Sequence, residues 1–399
     1  MTRVRTALVA GGGIAGPVTA LALHRAGIDA TVHEAYASPA DGVGGVFMLA
    51  PNGLDALRAV GLDEEVRAIG QPVGRMLIDD PRGRPLAAFG GVPGLPPGLV
   101  LWRSDLYTVL RRRLQEQGVP VVYGRRLVGA DERPDGVTAR FADGTGADAD
   151  VLIGADGVRS AVRTLIDPAA PGPAGTGLIG FGGFSDHVPA GAAPDEMHFA
   201  NGRRAFFGWW ALPDGGTAWF SNLPHKEAMT PAQARQVSAD DWLARLREQH
   251  ADDAPAAPVL AAARPDTLVS VGSMHILPPV PRWHRDRLVL VGDAAHAPSP
   301  SSGQGASLAA ESAVQLARCL RDLPDPAAAF AAYERLRRAR VERIVAQAAR
   351  TNNEKAAGPV ARTAMRLLAP IALRTFLRPE RMFGPVHGHR IDWDEPVIG

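Results

Sequence analysis

The feature that most constrains this chain is Gly11-Gly12-Gly13-Ile14-Ala15-Gly16, set between an apolar strand at Thr6 to Ala10 and a helical stretch from Pro17 to Ala26. A second apolar strand, Ala30 to Glu34, closes the unit. Strand, glycine turn, helix and strand in that order make a βαβ unit, which opens a parallel sheet. The G-x-G-x-x-G spacing gives Gly11, Gly13 and Gly16 three tasks: a tight turn, close approach of backbone to a pyrophosphate, and close packing of helix on strand. Together with Ile14 and Ala15 they are the expected phosphate contacts, because unpaired N–H groups and the positive end of the helix dipole favour an anion there. Glu34, 18 residues past Gly16, ends the second strand, where a carboxylate can accept both hydroxyl hydrogens of an adenosine ribose. This unit alone does not separate NAD from FAD.

At 399 residues the chain exceeds the roughly 100–200 residues of a typical domain, so two or three packed units are expected. Forty-three basic against 42 acidic residues remove the electrostatic footprint that nucleic acid or an anionic membrane would need. A neutral small partner fits better. The single cysteine, Cys319, cannot form an internal disulfide, no Cys/His spacing suggests a metal site, and its apolar helical setting predicts a packed thiol in a reducing cytoplasm. The N-terminus enters a strand with no secretory leader. The apolar stretch Ala361 to Leu377 is interrupted by Arg362, Arg366, Pro370 and Arg374, short of the ~18 uninterrupted residues of a spanning helix, and reads as a helix covering the main body.

After the first unit come a glycine-rich loop, short helices between Asn52 and Ile69, and a helix from Ser104 to Gln117 for which Ser104 is the expected N-cap. Strands lead to an apolar run, Asp150 to Ala155, that returns to the sheet. From about Gly175 to His275 the chain turns to aromatic-rich strands and Pro/Gly turns, which suggest a separate antiparallel layer. An apolar strand returns at Arg287 to Val291, followed by helices Gly305 to Arg321 and Pro326 to Thr351. The expected fold is α/β, a Rossmann-like parallel sheet with an inserted antiparallel substrate unit. Its expected division is 1–174 with 276–351, 175–275 inserted, and a C-terminal helical segment 352–399.

Asp150 to Arg163 reads DVLIGADGVRSAVR, and Arg287 to Ala313 reads RLVLVGDAAHAPSPSSGQGASLAAESA. With the glycine turn, these segments resemble the class A flavoprotein monooxygenases, the family of para-hydroxybenzoate, salicylate and urate hydroxylases and the tetracycline-degrading monooxygenases. The resemblance runs from about residue 5 to 350. It implies FAD, with NADH or NADPH as reductant and dioxygen as co-substrate. A flavin hydroperoxide would deliver one oxygen atom to a small aromatic or polycyclic substrate. Because the cofactor carries that chemistry, no catalytic side chain is assigned, and no metal is expected.

The resemblance also carries site residues. Asp156 and Gly157 match the Asp-Gly where the FAD pyrophosphate and nicotinamide approach, with Ser160 and Arg163 at the following motif positions. Gly292-Asp293 match the Gly-Asp whose carboxylate takes the ribityl hydroxyls. Pro300 and Gly303-Gln304-Gly305-Ala306-Ser307 would place backbone and a helix N-terminus beside the isoalloxazine. Arg103, Leu127 and Met48 match an FAD-contacting arginine, an adenine-side strand position and a loop beside the flavin. Two positions depart from the family pattern: Ala35 stands where an arginine is usual, and Ser312 follows Glu311 where an aspartate is usual. No second βαβ unit carries a G-x-G-x-x-G; the match at Gly175 to Gly180 opens the aromatic-rich strands instead.

The substrate wall is expected from the middle sheet, with Arg204, Phe207, Trp209, Trp219 and Asn222 as candidates; alternation places Phe207 and Trp209 on one face and Phe206 and Trp210 on the other. His198 and His296 are more economically read as structural than as bases. Two rival functions remain. A flavin-dependent halogenase is weakened because Gly208 holds the first tryptophan position of its W-x-W-x-I-P segment. A non-catalytic flavoprotein that sequesters its ligand would consume NAD(P)H stoichiometrically.

Overall fold

In the computed structural model, residues 3–39, 45–299, 302–355 and 383–398 are described. Thr6–Ala10 lies at the centre of a six-stranded sheet, paired in parallel with Val151–Gly154 on one side and Asp29–His33 on the other. Leu288–Leu290 and Val121–Val122 extend it in parallel, and His284–Arg285 adds an antiparallel edge. Val9, Val32, Ile153 and Val289 are fully buried, as strands covered by helices on both faces require. Thus residues around 8, 152 and 289, far apart in sequence, become neighbours in one sheet.

Helix Gly305–Asp322 runs through the molecule with every residue from Ser307 to Leu320 buried. It packs between helices Ala15–Arg25, Pro51–Arg58 and Pro326–Lys355. Cys319 lies on it, and burial pushes its thiol up to about 11, so it is a packed, unreactive group.

The second large layer is a seven-stranded sheet in the order Val269–Ile276, Ala174–Ser185, Thr217–Pro224, Phe206–Ala211, Glu196–Asn201, Arg75–Asp79 and Pro85–Gly90. Its core is antiparallel, as expected, but its last two strands come from the N-terminal segment. Residues 175–275 therefore do not make this sheet alone. The hairpin at 75–90 could not be assigned from its own sequence, because its partner strand lies 121 residues downstream.

One further expectation is corrected. Helix Arg103–Glu116 has Trp102 at its cap, because Arg103 N–H reaches back to the Gly45 carbonyl (3.2 Å) and the preceding strand runs straight into the helix. Ser104 instead donates to Asp105 (3.2 Å). Among the described residues of the C-terminal segment, 352–355 end helix Pro326–Lys355, Gly384–His387 is helical, and 388–398 run irregularly. There the Trp393 ring is held between the guanidinium groups of Arg25 and Arg321, at 4.7 and 4.9 Å. The apolar stretch 361–377 lies outside the described residues. Among those described, no helix is long and apolar enough to cross a membrane, and no group of side chains could hold a metal ion.

Candidate active site

The carboxyl ends of the central parallel strands bring the three glycine-containing segments together. A Cβ on Gly16 would collide with the Gly11 carbonyl, and one on Gly11 with the Ala155 carbonyl, so the first turn is folded tightly against the end of strand 151–154. Gly13, by contrast, has nothing within 4 Å of where its Cβ would be, nor has Gly157 or Gly305. Three glycines from three motifs thus border open space. Helix Ala15–Arg25 starts there with neither a capping side chain nor an acid in its first turn, and helix Gly305–Asp322 starts likewise. Two helix N-termini with unsatisfied N–H groups are suited to an elongated anionic or polar ligand.

Glu34 accepts from Gly12 N–H (2.6 Å) and Tyr36 N–H (2.8 Å), bracing the turn. Ala35 is half-buried beside it. Leu127 begins its strand next to this acid, since Arg125 N–H donates to the Glu34 carbonyl (2.7 Å), and its side chain packs in the core. Asp156 accepts from Ser160 Oγ (2.5 Å), Ala161 N–H (2.7 Å) and Val162 N–H (3.2 Å), so its carboxylate anchors the start of helix Ala161–Ile166. Ser160 is the N-cap, and Arg163 is tied to the Ala294 and Val158 carbonyls (3.0 and 2.7 Å).

Gly292 adopts the left-handed conformation (φ 62°), and a Cβ there would also press on Ala15, at 2.7 Å, so glycine alone fits the turn. This leaves Asp293 exposed in the cleft while residues 288–292 and 294–299 around it are all buried. The surrounding protein pushes the Asp293 carboxyl above its ordinary range, opposed by the positive charge of Arg103. Arg103 lies over the Phe47 ring at 6.0 Å. Met48 reaches Gly303, its Cε 3.0 Å from where a Cβ would lie, and Ser307 Oγ accepts from Ala50 N–H (3.1 Å). Pro300 lies outside the described residues; Gln304 and Ala306 flank Gly305 at the helix start.

Behind that start is a buried ion network that the sequence did not disclose. Asn52 donates both to Gln304 Oε1 (3.1 Å) and to Glu311 Oε1 (2.6 Å). Glu311 is flanked by Arg337 (2.7 Å) and Arg340 (2.8 Å). Burial alone would raise Glu311, but the two arginines outweigh it and hold the carboxyl down at about 2. Ser312, in place of the family's aspartate, binds His296 Nε2 (2.9 Å) and accepts from Arg337 Nε (3.3 Å). Burial lowers His296 to about 3, leaving it neutral and enclosed. His198 stacks on Trp209 and pairs with Asp79 (2.8 Å). Neither histidine faces the cleft.

The aromatic candidates divide by face. Phe207, Trp209 and Trp219 are buried in a cluster with Trp242, Leu243 and Val259, on the side covered by helices Ala239–Gln249 and Ala256–Ala261. Arg204 is exposed and binds the Glu248 and Gln249 carbonyls and Asp252. These four do not border the cleft. The opposite face, with Phe206, Phe220, Trp210 and Asn222, looks toward the strands Val46–Leu49 and Gly98–Trp102. The alternation was correct and its phase inverted, because a strand's sequence does not say which side its helices will cover.

A parallel sheet with an uncapped glycine turn, an acid at the end of its second strand and a cleft carboxylate defines a dinucleotide-binding fold. The chain belongs to the FAD binding domain family, whose model matches residues 4–348, and within it to the class A flavin monooxygenases. It is 33% identical over 346 residues to the aurachin C monooxygenase/isomerase of Stigmatella aurantiaca, covering 86% of this chain and 87% of that protein. To the FAD-dependent urate hydroxylase of Klebsiella pneumoniae it is 31% identical, covering 86% and 88%. The crystal structure of K. pneumoniae HpxO complexed with FAD and uric acid superposes with a TM-score of 0.82 at 27% identity, over 96% of both chains. The protein is an FAD-dependent monooxygenase with NAD(P)H as reductant.

Proposed function

We propose that this enzyme places one oxygen atom on a small aromatic substrate held between the seven-stranded sheet and the cleft. Relatives named for urate and for 6-hydroxynicotinate support a planar aromatic substrate. The observation that carries the cofactor's placement is Asp293, a single exposed carboxylate among buried neighbours, set between two uncapped helix starts. When bound, FAD supplies the redox and oxygen chemistry. The protein's own residues bind and orient. In this reading helix 15–25 takes the pyrophosphate, Glu34 the adenosine ribose and Asp293 the ribityl hydroxyls. Arg103, Met48 and the backbone of Gly303 to Ser307 border the ring, and Leu127, Asp156 and Gly157 shape the adenine and pyrophosphate ends. The positive end of the 305–322 helix would favour negative charge on the reduced ring. Its compartment is proposed to be the cytoplasm, in keeping with the lone buried thiol.

Nothing favours halogenation: Gly208 stands where the halogenase segment has its first tryptophan, and the Phe220 ring occupies the space beside it. The purified protein is expected to be yellow and to release FAD, not FMN, on denaturation. A colourless protein that cannot be loaded with FAD would end this assignment. With a turned-over substrate, labelled dioxygen should leave one labelled atom in the product. Unlabelled product with peroxide formed in step with NAD(P)H consumption would indicate an oxidase.

A further inference from the structure

We infer that the substrate is an uncharged aromatic molecule, lying on a phenylalanine shelf and oriented by one amide, Asn222; this rests on the monooxygenase assignment. The register of the seven-stranded sheet sorts its side chains completely. On the cleft-facing side, Gly180 and Phe206 flank Asn222, Gly182 and Gly208 flank Phe220, and Phe184 and Trp210 flank Ala218. The next strands continue with Phe199 and Met197, then Ile78 and Met76. None of these can ionise. The same strands place their charges on the other face, in the pairs His198–Asp79 (2.8 Å) and Arg75–Glu196 (2.6 Å).

Phe199, Phe206 and Phe220 form a half-buried trio with ring centroids 5.8 to 6.3 Å apart. The glycines beneath set its shape: the Phe220 ring lies flat across Gly208, and a Cβ on Gly180 would meet Val271 at 2.7 Å. Val271 also reaches Gly45, whose carbonyl holds Arg103, and Met76 shares a small cavity with Met48. The shelf therefore borders the flavin-side loop. Asn222 is half-buried and its side chain makes no hydrogen bond among the described residues; the other amide on this face, Asn201, is exposed at the edge. A π-rich surface with one amide and no charge among its described residues favours a planar ring carrying a hydroxyl or carbonyl. A carboxylate on the ligand would lose its hydration and meet no cation among the described residues of the shelf.

The test uses FAD-loaded protein at neutral pH, titrated with 1-naphthol, 1-naphthoate and naphthalene. Binding is read by flavin absorbance and by fluorescence of Trp102 and Trp210, which adjoin the shelf. We expect naphthol to bind at least about tenfold more tightly than naphthoate, the desolvation of an unpaired carboxylate deciding the order. Equal affinities, a preference for naphthoate, or no binding of either would overturn the inference. Asn222→Leu should weaken naphthol about fivefold, as loss of one hydrogen bond predicts, and leave naphthalene unchanged. An equal loss for both would remove Asn222 from the role. Protein that cannot be loaded with FAD yet still gives the naphthol fluorescence titration would strike the monooxygenase assignment and leave the shelf standing.

Discussion

Asp293 is set apart from the chain's other acids by standing open to the cleft within a buried segment, its carboxyl pushed up by surrounding protein against the pull of Arg103. Hydroxyl donors from a ribityl chain would supply what this carboxylate lacks. Asp293→Ala is expected to weaken FAD binding by about 1–3 kcal/mol, the range for losing a charge-assisted hydrogen bond and leaving its partner unpaired. Unchanged affinity in a folded variant would refute the placement. The pH dependence follows from the direction of the shift. A carboxyl whose folded pKa lies above its ordinary 3.8 binds its proton more tightly in the folded apoprotein, so the apoprotein loses stability as pH rises from that value through the raised one. FAD favours the ionised form, so the rise in Tm on adding FAD should grow across the same window. In Asp293→Asn that growth should flatten, and thermal melts with and without FAD measure it.

At the level of elements, helix 305–322 is the part whose position the cleft most depends on, since its first turn borders the open space and its body is buried. Glu311 ties that helix to Pro326–Lys355 through Arg337 and Arg340, and Asn52 carries the link to Gln304 at the helix start. A carboxyl held near 2 instead of 4.5 corresponds to about 3 kcal/mol, at 1.36 kcal/mol per unit. The shift is downward, so this stability is present above the unfolded value and is lost as pH falls from about 4.5 toward 2. Glu311→Gln is expected to remove about 3 kcal/mol at neutral pH, because buried Arg337 and half-buried Arg340 lose their counter-charge. Urea unfolding measures this, and a loss below about 1 kcal/mol would show that Arg337 and Arg340 are satisfied by other groups.

On the scale of the whole molecule, one dinucleotide-binding unit serves an enzyme that needs two cofactors. The described residues contain a single βαβ glycine turn of this kind, and none among them forms a separate Rossmann unit for NAD(P)H. The reductant is therefore expected to bind transiently near the flavin, with slow reduction until substrate fills the shelf. Anaerobic stopped-flow reduction with and without a substrate measures this. Rates identical within error would remove the gating while leaving FAD binding intact.

The sequence determined the elements whose instructions are local. A glycine turn between two apolar strands encodes its own backbone geometry, and the Gly-Asp pair after strand 288–290 encodes a left-handed turn that leaves Asp293 in the cleft. Runs such as Val151–Gly154 announce strands buried on both faces because they carry no polar side chain. Only the tertiary structure decided the rest. Phe207 and Phe206 are adjacent and chemically identical; which one enters the core depended on where helices 239–249 and 256–261 came to lie. The hairpin at 75–90 joined a sheet whose other strands begin almost a hundred residues later, and Asn52 found Glu311 across 259 residues. Such choices rest on long-range packing, which alternation and propensity leave open because both faces of a strand, taken alone, are equivalent.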